Sequence, residues 1–277
     1  TYTDGAGFTS RGDDVTALMQ NENFRKALCY ALDREAIASV LGSGQATNRY
    51  VASSVTGTTE GTAYVDEYEL EEVAPLSGDT DAAKEYLQAA LDELGYSDVS
   101  ELPTITYLTF ETDAQKLLAE TAVSIWENDL GLTNITINLQ PISSAVMSMV
   151  YMDFDIYLQQ LSVNTDDELE LLNYWITTGE VSDPAGFQAS GVPASMASMH
   201  ADEEYDALIA DAYVDFDEES YFSKVAEAEQ MLYSAYVYFP IQEGGSYFIT
   251  QDYVEGYTYE STLDYGYSFA NVVVYAH

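Results

Sequence analysis

FRKALCYALDREAI, residues 24–37, decides how the rest of the chain is read. Phe24, Ala27, Leu28, Ala31 and Leu32 recur at helical spacing, and Ile37, Val40 and Leu41 prolong the stripe. The pattern predicts one helix from about Asn23 to Leu41, capped by Asn21 or Asn23 and ended by Gly42. Ala27 and Ala31, four apart, let this helix approach a sheet closely, and Leu28 and Leu32 fill the adjoining row. Asp33 and Arg34 offer polar ties to neighbouring loops. Cys29, the only cysteine, falls within the apolar pattern and reads as a small buried hydrophobe.

Outward from this segment, residues 1–20 are polar and show no clear period, and residues 42–78 read as loop. A helix is predicted over about Asp81–Leu94, with Asp79 or Thr80 as cap and Gly95 as stop. TITYLTF (104–110) is a β-branched and aromatic strand, and a helix follows over about Asp113–Leu130. NITINLQ (134–140) alternates as a strand, Pro141 opens a short helix, and FDIYLQQL (154–161) is a third strand. Strand, helix, strand, helix, strand implies parallel βαβ units. Two helices are predicted over about 203–214 and 218–236, before a Tyr-rich, strand-like tail.

The charge balance excludes one class of partner. The chain has 48 acidic and 8 basic residues, a net charge of −40. Nucleic acid needs clustered Lys and Arg and is no partner here. No run of about 18 apolar residues is present to span a membrane. Catalytic signatures such as GxSxG, HExxH, GxGxxG and the P-loop are missing, and His200 and His277 lie far apart. No enzyme is expected, and no cofactor or metal; the competing class is an extracellular hydrolase using carboxylates or His200. The acidic run Asp166, Asp167, Glu168, Glu170 lacks EF-hand spacing and reads as the first turn of a helix that continues through Leu169, Leu172 and Trp175.

FRKALCYALDREAI resembles a segment of the extracytoplasmic solute-binding proteins of oligopeptide and dipeptide ABC importers (family 5). Phe24, Arg25, Ala27, Leu28, Tyr30, Ala31, Asp33, Arg34, Glu35 and Ile37 carry the likeness. Further segments agree in order: DTDAAKEYLQAALDELGY, TITYLTF, IWENDLG, NITINLQ, FDIYLQQL, YDALIADAYVDFDEESYFSKVAEAEQMLYSAYVYFPI and VEGYTYESTLDYGYSFANVVV. The resemblance implies an α/β, periplasmic-binding-protein-like lobe with a mixed, mostly parallel sheet flanked by helices. It implies one C-terminal lobe over 1–277: a lead-in at 1–20, the α/β lobe at 21–238 and closing strands at 239–277. The N-terminal lobe is then absent from this sequence. The implied role is to capture oligopeptides outside the membrane and deliver them to a permease. The location would be extracellular, lipid-anchored or periplasmic.

In α/β lobes the ligand lies beyond the carboxyl ends of the strands, here the turns after Phe110, Gln140 and Leu161. The resemblance places Leu161 where peptide-binding relatives have a Trp and Asn164 where they have an Asp that meets the peptide's amino terminus. Asp166 or Asp167 replaces that Asp if the turn is shifted by two or three residues. Gln160, Leu161, Ser162, Asn164, Asp166 and Asp167 are therefore the candidate ligand residues. Asn164 suits a neutral polar ligand, and the resemblance extends to members of the class that bind sugars or metal chelates, which are the alternative solutes.

Overall fold

The computed structural model describes residues 12–42, 44–141, 154–158, 168–177 and 202–244, and four two-residue strands of the tail. Three helices open it: α1 (Asp13–Gln20), α2 (Glu22–Ala31) and α3 (Arg34–Leu41). Asn21 does cap α2, accepting a hydrogen bond from the Phe24 N–H at 2.9 Å, and Gly42 closes α3 at φ 67°. The single helix expected over 23–41 is broken at Leu32–Asp33. Asp33 takes extended backbone angles and accepts from the Ala36 N–H at 2.8 Å, so it serves as the N-cap of α3. Helix α1 was not evident from its polar composition; Val15 and Leu18, one turn apart, bury its inner face.

Next come β1 (Gln45–Ala46), the short α4 (Tyr64–Glu67) and α5 (Thr80–Leu94), so 42–78 is not wholly loop. Asp79 caps α5 by accepting from the Ala82 N–H at 3.0 Å, and Gly95 ends it. Helix α2 packs chiefly against α5, not against a sheet as the alanine spacing suggested. Ala27 and Ala31 meet Ala83, Leu87, Ala90 and Leu91 in a shared core. Gly78 makes room at this junction: a Cβ there, at φ +72°, would sit 3.2 Å from the Ala31 carbonyl.

The main sheet contains β2 (Ile105–Phe110), β3 (Ile135–Gln140) and β4 (Ile156–Tyr157), with α6 (Asp113–Leu130) between the first two. Its order is β3-β2-β4 and both pairings are parallel, as the alternating pattern predicts. Ile105 pairs with Ile135 and Phe110 with Gln140, while Leu108 pairs with Tyr157. At the amino edge the Asp155 carboxylate accepts from the Thr106 N–H at 2.7 Å and sets the register of β4. Trp126 of α6 donates its indole N–H to the Leu28 carbonyl at 2.9 Å, fixing the helix between sheet and α2. Each large apolar side chain buried here contributes about 1.5–3 kcal/mol.

A second core forms around α7 (Glu168–Asn173), α8 (Glu203–Ala212) and α9 (Glu218–Ala235). Helix α7 starts with Glu168 and Glu170 and buries Leu169 and Leu172, in line with the helix-start reading of that acidic run. Cys29 lies in this core, 1 % exposed. After α9 the chain returns through β5 (Gln242–Glu243), antiparallel to β1. In the tail, β6 (Val254–Glu255) pairs with β9 (Val273–Val274), and β7 (Thr258–Tyr259) with β8 (Tyr267–Ser268), all antiparallel. The sheets together are mixed and the central one is parallel.

Candidate ligand-binding site

The chain leaves β2 for β3 on one side and then crosses to β4 on the other. In open α/β sheets the ligand crevice lies at such a switch point, outside the carboxyl ends of the strands. Phe110 and Gln140 end their strands side by side, and the Glu111 N–H bonds the Gln140 carbonyl at 2.8 Å. Tyr157 reaches the same edge from β4; its ring meets Phe110 edge-on at 6.1 Å and Phe154 at 5.6 Å. Phe110 and Tyr157 are half-buried, so the edge presents aromatic surface with a polar tip. Burial pushes the Tyr157 phenol up to about 12, which keeps it a neutral hydrogen-bond donor at physiological pH.

Helix α6 begins at this edge. Thr112 caps it, its hydroxyl accepting from the Gln115 N–H at 3.3 Å, and the positive end of the helix dipole faces the crevice. Two polar atoms on either side of this turn, Thr109 Oγ1 and Gln115 Oε1, are buried with no hydrogen-bond partner among the described residues. Leaving such a group unmatched costs about 1–3 kcal/mol, a cost met at sites that wait for a ligand or water. Neither residue was singled out from the sequence; a Thr inside an apolar strand was the available signal.

Gln160, Leu161, Ser162, Asn164, Asp166 and Asp167 lie outside the described residues, as do His200 and His277. In sequence the six fall between Tyr157, at the carboxyl end of β4, and Glu168, at the start of α7. The predicted helix opened by Pro141 also lies outside them.

Two other features compete for attention. An open depression of about 370 Å³ runs along α6, lined by Glu120, Thr121, Ser124, Ile125, Asn128 and Asp129. Because α6 runs back from the carboxyl edge of β2 to the amino end of β3, this depression lies away from the crevice. A buried carboxylate, Glu229, sits beside Arg49 and Tyr64 in the second core. It accepts five hydrogen bonds and has no exposure, so no lone pair is left to act on a substrate. Among the described residues no group of His, Cys, Asp and Glu is arranged to hold a metal, and no helix is long and apolar enough to cross a membrane.

A helix-flanked parallel sheet with a switch point and aromatic rings at its carboxyl edge is an α/β architecture of the kind that binds ligands at that edge. Residues 3–183 match the family model described as bacterial extracellular solute-binding proteins, family 5 Middle. The chain belongs to that family, whose members bind substrates outside the cytoplasm. It is 27 % identical over 265 residues to the periplasmic oligopeptide-binding protein OppA of Haemophilus influenzae, covering 94 % of this chain and 44 % of that protein. The substrate-binding domain of an oligopeptide ABC transporter from Bacillus anthracis superposes with a TM-score of 0.67 at 18 % identity, over 91 % of this chain and 45 % of that one. Listeria monocytogenes OppA bound to peptide gives 0.66 at 17 % identity, over 95 % and 46 %. These structures share the fold. The chain thus spans less than half the length of each of these three proteins.

Proposed function

We propose that this chain is the ligand-binding C-terminal lobe of an oligopeptide-binding protein that serves an ABC importer. The carrying observation is the switch point of the parallel sheet, where Phe110 and Tyr157 form an aromatic edge beside the N-terminus of α6. Such an edge suits an extended peptide: rings cover its apolar side chains and the helix end favours its carboxylate. The names of the relatives agree with that ligand class. In this reading the rest of the protein supplies an N-terminal lobe, and the ligand is buried between the two. Closure is driven by the excess affinity of the closed over the open form, and no bond is broken. The closed protein then docks on a permease outside the membrane, held nearby by a lipid anchor or by the periplasm. Gln160, Leu161, Ser162, Asn164, Asp166 and Asp167 complete the ligand contacts from the segment after β4.

The test is calorimetric titration of the full two-lobed protein with peptide libraries, sugars and metal chelates. Peptides are expected to bind with one-to-one stoichiometry, and this chain alone far more weakly. Binding of a sugar or chelate with no response to any peptide replaces the ligand class. Peptide turnover abolished by a single carboxylate substitution replaces the binding role with hydrolysis.

A further inference from the structure

The excess of acidic residues is amplified by where the basic ones go. Arg25 gives its guanidinium to the backbone carbonyls of Met19, Gln20, Ala235 and Tyr236. Arg34, fully buried, bonds the Cys29, Leu32 and Pro240 carbonyls. Arg49 is consumed by Glu229 and the Val65 and Tyr68 carbonyls. Two of the four lysines are muted at the surface, while Lys84 on α5 is exposed and Lys116 on α6 is half-exposed. Lys26 is 17 % exposed, pairs with Glu22 at 2.7 Å and lies over the Tyr86 and Tyr236 rings. Lys224 lies between Asp211 and Asp215 at 2.5 and 2.6 Å. In contrast, α1, α2, α3, α5, α6, α8 and α9 all carry acidic residues in the first turn and none carries a basic residue in the last. Among the described residues the three arginines and two of the four lysines are thus buried or paired, which leaves Lys84 and Lys116 to face a large excess of surface carboxylates.

The crevice shares this bias. Glu111 and Asp113 are exposed on the turn between β2 and α6. The neighbouring cation, Lys116, is half-exposed and lies 3.9 Å from Glu120. Glu168 and Glu170 open α7, the next described element after β4. The described charged groups around this edge are therefore mostly acidic, with Lys116 the cation on the adjoining helix.

We propose that the site selects peptides of net positive charge, and that the anionic surface of this lobe acts by steering them in and repelling anionic ones. The proposal rests on the peptide-binding reading. Steering of this kind raises association rates by about 10–10³-fold and is screened by salt. The Debye length falls from about 30 Å at 0.01 M to about 3 Å at 1 M, so the field reaches past the crevice in one case and not in the other.

The experiment measures association and dissociation of three length-matched peptides, rich in Lys, in Ser and in Glu, with the full two-lobed protein at both salt concentrations. The Lys-rich peptide is expected to associate at least about 10-fold faster at low salt than at high salt, with dissociation changed far less. The Glu-rich peptide is expected to associate slowest at low salt and to gain from added salt. Equal association rates for the three peptides, or a Lys-rich rate indifferent to salt, overturn the proposal. So does a calorimetric stoichiometry above one for the Lys-rich peptide, which is the mark of surface coating. Failure of every peptide to bind at either salt overturns the peptide reading itself, a result distinct from binding without charge preference.

Discussion

Arg49 and Glu229 are 180 residues apart in sequence, yet Nη2 of the guanidinium lies 2.7 Å from Oε2 of a carboxylate with no solvent exposure. Glu229 also accepts from the Arg49 Nε–H, from the Tyr50 and Val51 N–H groups and from the Tyr64 hydroxyl. Burial, with the adjacent carboxylate, holds the Tyr64 phenol far above its usual range, so it remains a donor. The pair fastens the segment after β1 to α9. Removing one charge strands the other in the core, which costs about 3–5 kcal/mol. Glu229→Leu is expected to lower unfolding stability by that amount in urea titrations, and Arg49→Met together with Glu229→Leu to recover much of it. A loss below about 1 kcal/mol for the single change would show that the pair does not hold this junction.

Arg34 fills the polar end of the 24–37 motif. Its Nε donates to the Pro240 carbonyl at 2.8 Å, and Nη1 to the Leu32 and Cys29 carbonyls at 3.2 and 3.3 Å. The planar fork reaches carbonyls on two separate segments, a geometry a lysine ammonium does not reproduce. Arg34→Lys is therefore expected to cost about 2–4 kcal/mol in chemical unfolding, from lost charge-assisted bonds and stranded carbonyls. A lysine variant as stable as the parent would remove the fork from the account.

The motif was thus legible as a scaffold while its internal geometry was not. The periodicity of Phe24, Ala27, Leu28 and Ala31 gives the helix, but Leu32 continues the stripe past its end and hides the break at Asp33. A capping Asp inside an apolar pattern is a local signal that periodicity overrides. The βαβ core was readable because β2, α6 and β3 have punctuating caps at Thr112 and Gly131. Helix α1 and strand β1 are too short or too polar to register, and their order comes from burial and long-range pairing. The aromatic contact between Phe110 and Tyr157 was not visible, since it depends on a crossover that brings β4 beside β2.

Cys29 should be chemically silent in the native protein. It is 1 % exposed, and desolvation raises its thiol pKa more than the guanidinium of Arg34, 3.3 Å away, lowers it. The thiolate is the reactive form, so alkylation requires both access and ionisation. Iodoacetamide at neutral pH is expected to leave the native chain unlabelled in mass spectra and to modify it fully in denaturant. Native labelling on the timescale of a free thiol would mean that the second core opens readily.

Glu72 is a stabilising target. Its φ of 53° lies in the left-handed region, its side chain is exposed, and its contribution to packing is its carbonyl, which accepts from the Tyr30 and Tyr236 hydroxyls. Glycine keeps that carbonyl and removes the Cβ conflict, worth about 1–2 kcal/mol, against about 0.5–1 kcal/mol of added backbone entropy in the unfolded chain. Glu72→Gly is expected to raise stability by up to about 1 kcal/mol, read from the midpoint of thermal unfolding. A drop would place the side chain among the groups that hold this loop.

The turn between α8 and α9 makes stability depend on pH through Asp215. Its carboxylate accepts from the Lys224 ammonium and the Ser220 hydroxyl, both at 2.6 Å, and from the Asp217 N–H at 3.0 Å. These bonds, Lys224 first, hold its pKa well below the usual carboxylate range. A folded value below the unfolded one, about 3.9, means that the stabilisation is complete above that pH and is lost as pH falls towards the folded value. Asp215→Asn removes the charge and with it this dependence. The variant is expected to be less stable than the parent at pH 7, and the two are expected to converge as pH falls below about 4. Unfolding curves at several pH values read the gap directly. A gap that stays constant from neutral to acid pH would show that hydrogen-bond geometry alone, and not the charge on Asp215, fixes the turn.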